Sequence, residues 1–146
     1  VINTLTGTIS VEESGPGFIT LQVGGIGYLV FVVGRTDVSN PISKFYIHEN
    51  ITAAQQGPSK HDLYGFETQE ERLLFRALLA NCDRVGPSTA MKVMSVAPPE
   101  QLLQAIRLSN EKYISRGVGE KTAQQVILGM GKWAMTEAAT KTKELV

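Results

Sequence analysis

The sequence has a single cysteine, Cys82, in 146 residues. An internal disulfide is excluded, and so is any cysteine-rich zinc or iron–sulfur site. A reducing, cytoplasmic setting is the expectation that follows. Long apolar runs are also missing. The longest, "YLVFVV" at Tyr28 to Val33, falls far short of the roughly 20 residues that cross a bilayer. No basic, apolar and small-residue secretory pattern opens the chain, so no membrane association is expected. Charge of one sign is not in excess: 14 Lys and Arg stand against 14 Asp and Glu. Bulk attraction therefore gives no support to nucleic-acid binding. No Gly-Lys-Ser/Thr phosphate loop occurs, so any ATP hydrolysis would belong to a partner. The two histidines, His48 and His61, have no spaced carboxylate or cysteine beside them in sequence and read as solvated loop residues rather than a metal site. No cofactor is expected. Val1 stands where Met is usual, so a longer parent chain is expected.

What is present divides into two textures. A hydrophobic content of 42% with 19% charged residues indicates a globular chain, long enough for one ordinary domain or two small ones. Residues 1–66 read as strands. "TLTGTISV" alternates around Leu5, Gly7 and Ile9, and "GFITLQV" places Leu21 and Val23 at period two. "GGI" at Gly24 to Ile26 is a tight connection into "GYLVFVV", and "SKFYIHE" and "DLYGF" supply two more strands. Five short strands with glycine turns suit a small closed barrel of the oligonucleotide-binding type, with or without a ligand. Residues 51–61, "ITAAQQGPSKH", read as an exposed loop.

From Glu67 the period becomes helical. Thr68 followed by Glu71 is a capping-box pattern, and Leu73, Leu74, Ala77 and Leu78 form an apolar stripe. A second helix starts near Pro87 with Ala90, Val93 and Met94 inward, and "APPEQLLQAIRL" starts a third after a proline pair. "SNEKYIS" predicts a short helix capped by Ser109, and "EKTAQQVILGM" predicts a last one that Gly129 and Gly131 weaken. The tail, residues 132–146, reads as a frayed helix or linker, with Trp133 as a packed helix end. Cys82 follows the leucine-rich helix and reads as a small apolar core group. The fold class is therefore α+β: a barrel at 1–66, then an all-α unit at 67–131. Arg35, Lys44 and Lys60 against Glu12, Glu13, Asp37, Glu49 and Asp62 leave residues 1–66 at −2, and the neutral total leaves the remainder at +2.

That remainder contains one pattern twice. "DRVGPSTAMKVM" begins at Asp83 and "SRGVGEKTAQQVI" at Ser115; aligning Val85-Gly86 with Val118-Gly119 sets Thr89-Ala90 against Thr122-Ala123. Each turn follows a short helix and opens another, as in paired helix–hairpin–helix units. Glycine lets backbone approach a ligand without a Cβ between them. The first amides of a helix lack internal partners and carry partial positive charge. Together they can hold a phosphate oxygen, and Lys121 can neutralise it. Such binding reads no base, so it is sequence-independent and salt-sensitive.

The twin hairpins behind a barrel, "LYGF" leading into "ETQEERLLFRALL", and the opening "LTGTI" and "VGGIGYLV" resemble the RuvA family, the Holliday-junction-binding subunit of a bacterial branch-migration machine. The resemblance covers nearly the whole chain and stops where the family continues through a linker into a third, small domain that contacts the hexameric ATPase RuvB. It implies a homotetramer or octamer on four-way junction DNA, a RuvB-like motor acting through the domain beyond this chain, and a RuvC-like resolvase as a further partner. It implies no catalysis by the chain itself, in the setting of homologous recombination and DNA repair. At the second hairpin Gly117, Val118, Gly119, Lys121 and Thr122 match the family's phosphate-binding pattern; at the first, Val85, Gly86 and Pro87 do. Glu49 aligns with the first of two acidic residues of a central pin that repels phosphates at the crossover.

This chain also departs from the family. Arg84 stands where Gly is usual, Ser88 where Lys is, Glu120 where Lys is, and Gln125 where Arg is. Asn50 replaces the second pin acid and His48 an adjacent Arg. Arg84, Lys92 and Arg116 are candidate substitute cations. Weaker DNA binding than in an ordinary member is expected, since each lost ionic phosphate contact lowers the salt slope by roughly one unit. A relative that keeps the oligomer and has mostly lost DNA, acting as a scaffold, stands as the alternative. A hairpin-containing nuclease or glycosylase would need a catalytic carboxylate in a base pocket, and the sequence nominates none.

Overall fold

The computed structural model describes residues 1–136. It divides into two compact units, Val1–Thr68 and Gln69–Val146. The boundary lies two residues beyond the expected 66. The expected tail begins inside a helix, and its stretch from 137 to 146 lies outside the described residues.

The first unit is a closed five-stranded barrel in the order β1-β2-β3-β5-β4. Its strands are β1 Thr4–Gly15, β2 Phe18–Val23, β3 Ile26–Val32, β4 Ile42–Thr52 and β5 Lys60–Phe66. All pairs are antiparallel except β3 with β5. This is the oligonucleotide-binding barrel that the strand spacing predicts. Period-two alternation fills it: Ile9, Ile19, Leu21, Val30, Val32, Phe45, Ile47 and Leu63 form one buried cluster. β1 runs further than the alternation indicated, to Gly15, with an irregular register between Ser10 and Gly15. Gly24 and Gly25, at φ 55° and 87°, join Val23 to its partner Ile26 in a two-residue turn. Positive φ at both central residues matches the right-handed twist of the flanking strands.

Residues 51–61 are not wholly a loop. The β4–β5 ladder continues through Asn50↔Asp62, Ile51↔His61 and Thr52↔Lys60, so the connection shrinks to 53–59. β1 pairs β4 only as far as Tyr46, and β3 pairs β5 only from Leu63. The last pairs therefore form a ribbon with no strand on either side. Residues 51–61 are exposed, and a ribbon with no buried face carries no alternation to read.

The second unit contains α1 Gln69–Asn81, α2 Pro87–Met94, α3 Pro99–Arg107, α4 Glu111–Val118 and α5 Glu120–Ala134. α1 packs on α2 and α5, α4 on α5 and α2, and α3 on α5 and α4. Leu74, Phe75, Leu78, Met94, Leu102, Leu103 and Ile114 are fully buried. Leu73 of the expected stripe is only partly buried. Asn110, not Ser109, caps α4: its side chain accepts from the Tyr113 amide at 3.3 Å, while Ser109 takes a left-handed φ of 52°. Cys82 is buried, with its Sγ 3.9 Å from the Val126 carbonyl oxygen. Burial, helped by the negative charge of Asp83, pushes the thiol up to about 11, so it remains a neutral, apolar group as expected.

α5 is not broken at its glycines; it continues to Ala134, with Trp133 partly buried in its last turn. Gly129 has a packing reason. A Cβ there would strike the Asn81 carbonyl oxygen and sit 2.9 Å from Cys82 Cα, whereas one at Gly131 would meet nothing within 4 Å. The two glycines should therefore respond oppositely to alanine. G129A overpacks the α1–α5 contact and should lose about 1–3 kcal/mol. G131A should gain up to about 1 kcal/mol through helix propensity. Urea unfolding of the two variants checks the contrast.

Glu70 in the first turn of α1 is buried at 6% exposure. Desolvation, then the charges of Glu100 and Glu71, raises its carboxyl above the usual range. A raised folded-state value means that ionisation opposes folding. The penalty is absent at low pH, appears as pH climbs past the ordinary glutamate range, and is complete above the raised value. E70Q should therefore stabilise the protein by about 1 kcal/mol at neutral pH, with the gain vanishing near pH 4. Thermal melts across that range would measure it.

Candidate nucleic-acid interface

The first hairpin runs from the end of α1 through Cys82–Gly86. Val85 is buried and anchors the turn. Arg84 is exposed and holds the left-handed conformation at φ 62°. Gly86 is the N-cap of α2, extended at φ −89° and ψ −178°, with no side-chain cap. It is exposed, and a Cβ added to it would meet nothing within 4 Å. The first α-helical bond is Ala90 N–H to Gly86 O at 2.9 Å. Pro87 has no amide hydrogen, which leaves Ser88 and Thr89 as first-turn donors without intrahelical partners. Ser88 and Lys92 are both exposed.

The second hairpin is a single-residue joint. Gly119 ends α4 and starts α5, at φ 83° and ψ 168°, a region that glycine alone occupies readily. Its amide closes α4 on Ser115 O at 2.9 Å, and its carbonyl accepts from Ala123 at 3.1 Å. No side chain caps α5, so Glu120, Lys121 and Thr122 present the free first-turn amides. Glu120 and Lys121 are exposed; Val118 and Thr122 are partly buried. Gly117 lies in α4, not in the turn. Its hypothetical Cβ would be 2.6 Å from Val96 Cγ2 and 3.5 Å from Lys92 O. Its glycine thus allows α4 to approach the C-terminal end of α2, bringing Lys92 and Gly117 together. Arg116 is held along its own helix: its guanidinium lies 4.2 Å over the Tyr113 ring and its Nε donates to Tyr113 O at 3.1 Å.

In the barrel, Glu49 sits at the base of the β4–β5 ribbon. The Ile2 amide donates to its Oε2 at 3.2 Å, and His61 Nδ1 lies 3.3 Å from its Oε1. The Ile2 hydrogen bond, then that of His61, holds the carboxyl below its ordinary value. His61 therefore does have a carboxylate partner, contrary to the reading from sequence; the ladder, not the spacing, puts them side by side. Asn50 is 3.5 Å from Thr52 Oγ1 and stands opposite Asp62, which pairs with Lys60 at 3.6 Å. Asp62 is a carboxylate beside the expected pin that the register alone reveals.

Among the described residues, no group of three or more His, Cys, Asp and Glu could hold a metal ion, and no helix is long and apolar enough to cross a membrane. A shallow depression of about 250 Å³ in the helical unit is lined by Gln101, Gln104, Ala105, Leu108, Asn110 and Tyr113. It contains no carboxylate and none of the hairpin residues.

No family model matches the chain. Curated relatives do. The chain is 34% identical over 141 residues to "Holliday junction branch migration complex subunit RuvA" of Geobacillus sp. (strain WCH70), covering 90% of this chain and 65% of the relative. The protein of the same name from Brevibacillus brevis is 33% identical over 138 residues, covering 89% and 62%. That of Bacillus cytotoxicus is 38% identical over 133 residues, covering 85% and 60%. The chain thus spans somewhat less than two thirds of the length of these relatives.

The left-handed Arg84 offers a test of the first hairpin's geometry. R84G removes a Cβ from a strained position and should stabilise the protein by about 1 kcal/mol. Urea unfolding should show a higher midpoint with an unchanged slope.

Proposed function

The chain belongs to the RuvA family, and we propose that it binds four-way junction DNA without reading sequence, as the non-catalytic subunit of a branch-migration complex. The observation that carries this reading is the pair of uncapped, glycine-started helices, α2 and α5, whose N-caps Gly86 and Gly119 lie 33 residues apart. Each offers unpartnered amides at the positive end of a helix dipole, the arrangement that holds a phosphate oxygen. Lys121 supplies charge at the second and Lys92 near the first. Four copies would set one hairpin pair on each arm of the junction. The motor, a RuvB-like hexameric ATPase, would engage a domain that follows this part in longer relatives, and a RuvC-like resolvase would act on the same junction. At the barrel, the ionised Glu49 would be the acidic contribution near the crossover, with Asp62 beside Asn50 as the nearest second charge.

The scaffold reading has its own supporting observation. Arg116 is committed to Tyr113, and an acid opens α5, so few cations remain to face phosphate. Oligomer formation would then outlast DNA binding.

A gel-shift comparison of a four-way junction with linear duplex at low salt separates these readings. The DNA-binding reading expects tighter junction binding, and K92A should weaken it by about tenfold with a salt slope lower by about one unit per chain. Equal, weak affinity for both DNAs would overturn it. Light scattering that shows a stable tetramer with no junction binding would favour the scaffold.

A further inference from the structure

Both hairpins open a helix on an uncapped glycine, and they differ in charge. α2 has no acidic residue in its first turn, and α5 has Glu120 as its first residue. We propose that Glu120 makes the second hairpin the weaker phosphate site, so that this chain grips DNA chiefly by one strand through the first hairpin. This rests on the DNA-binding reading above and adds which hairpin carries it and which DNA it favours.

A carboxylate on the first helical residue acts twice. It complements the positive end of the dipole that a phosphate would otherwise complement. It also repels any phosphate drawn to the same amides, and at contact distance this is a sizeable repulsion even near water. The groups that could offset it are engaged or displaced. Gln124, one turn further along α5, donates to Glu111 Oε1 at 3.1 Å, which also brings a second carboxylate to this hairpin. Arg116 is stacked on Tyr113. Lys121 is adjacent in sequence but points about 100° around the helix from Glu120. At the first hairpin, Ser88 and Thr89 offer their amides from a neutral first turn. Its acid, Asp83, precedes the glycine and acts on the Cys82 thiol.

Two equal hairpins can hold the two strands of a duplex across its minor groove. With one dominant, the chain contacts one strand, and duplex should bind little better than single-stranded DNA of the same length.

The test is fluorescence anisotropy at low salt with a labelled duplex and its single strand, for the wild type, E120K, S88E and E12K. Glu12 is an exposed barrel residue, so E12K makes the same charge change away from both hairpins. The wild-type affinities should agree within about threefold. E120K should tighten duplex binding about tenfold and steepen its salt slope by about one to two units, with a smaller effect on the single strand. S88E places an acid in the first turn of α2 and should weaken both DNAs by about tenfold. A wild type that already prefers duplex by tenfold overturns the proposal. So does an E120K that matches E12K on both DNAs, since the effect is then bulk charge. If junction, duplex and single strand all fail to bind both wild type and E120K, the DNA-binding reading falls as well.

Discussion

The helical unit depends on how its helix starts are left open. A buried helix end must find partners for its first amides, and most helices use a Ser, Thr, Asp or Asn side chain to provide one. α4 does so through Asn110. α2 and α5 do not: each begins on a glycine that has no side chain to cap with. At Gly86, whose backbone is extended, an Asp or Ser could cap the helix and add to its stability; at Gly119, φ 83° makes any side chain strained. A glycine N-cap forgoes only about a few tenths of a kcal/mol against a side-chain cap. The rest of the unit is built to tolerate that. Val85 anchors the first turn in the core, Gly117 lets α4 close onto α2, and Gly129 lets α5 close onto α1. Gly117 and Gly129 have a packing reason, and Gly86 and Gly119 are exposed.

The barrel is arranged by a different constraint. A closed sheet has no edges to protect, yet β4 and β5 run past their neighbours as a ribbon. What steadies the base of that ribbon is Glu49, which takes a hydrogen bond from Ile2 and lies against His61. The same carboxylate that the family resemblance assigns to electrostatic repulsion is thus also a structural tie. The two roles are compatible, because the tie favours the ionised form, and an ionised carboxylate is what repulsion of phosphate requires.

Much of this was legible in the sequence, for identifiable reasons. Period-two alternation around Ile9 in the first strand and Leu21 in the second marked barrel strands, because one face of each is buried. Gly-Val-Gly followed by Lys marked the second hairpin, because local backbone geometry is set by local residues. What failed to show depended on contacts between distant positions. The ribbon beyond Asn50 has no buried face and so no pattern. Gly129 reads in sequence as weakening its helix, and its packing reason, Asn81 and Cys82, lies far away in the chain. Gly117 also has a packing reason, the close approach of Val96, which spacing alone does not show. The partnership of His61 and Glu49 follows from strand register, which sequence separation conceals. Asn110 in place of Ser109 is a one-residue boundary shift, forced by the left-handed turn at Ser109.

Net charge was the least informative global property and local charge the most informative. A neutral chain can bind a polyanion when donors and cations converge and acids are kept away, because screening confines each charge to about 10 Å at ordinary salt. The relevant question is therefore which charges lie within one turn of Gly86 and Gly119. Around Gly86 the helix opens on Pro, Ser and Thr; around Gly119 it opens on Glu and Lys. The two helix starts share an uncapped glycine and differ in their first-turn electrostatics. Charge differences confined to first-turn side chains leave the cores intact, because Ser88, Glu120 and Lys121 are exposed. Such positions can change the charge presented at a helix start without altering whether the protein folds, so under the DNA-binding reading the strength of the grip would rest on individual surface residues.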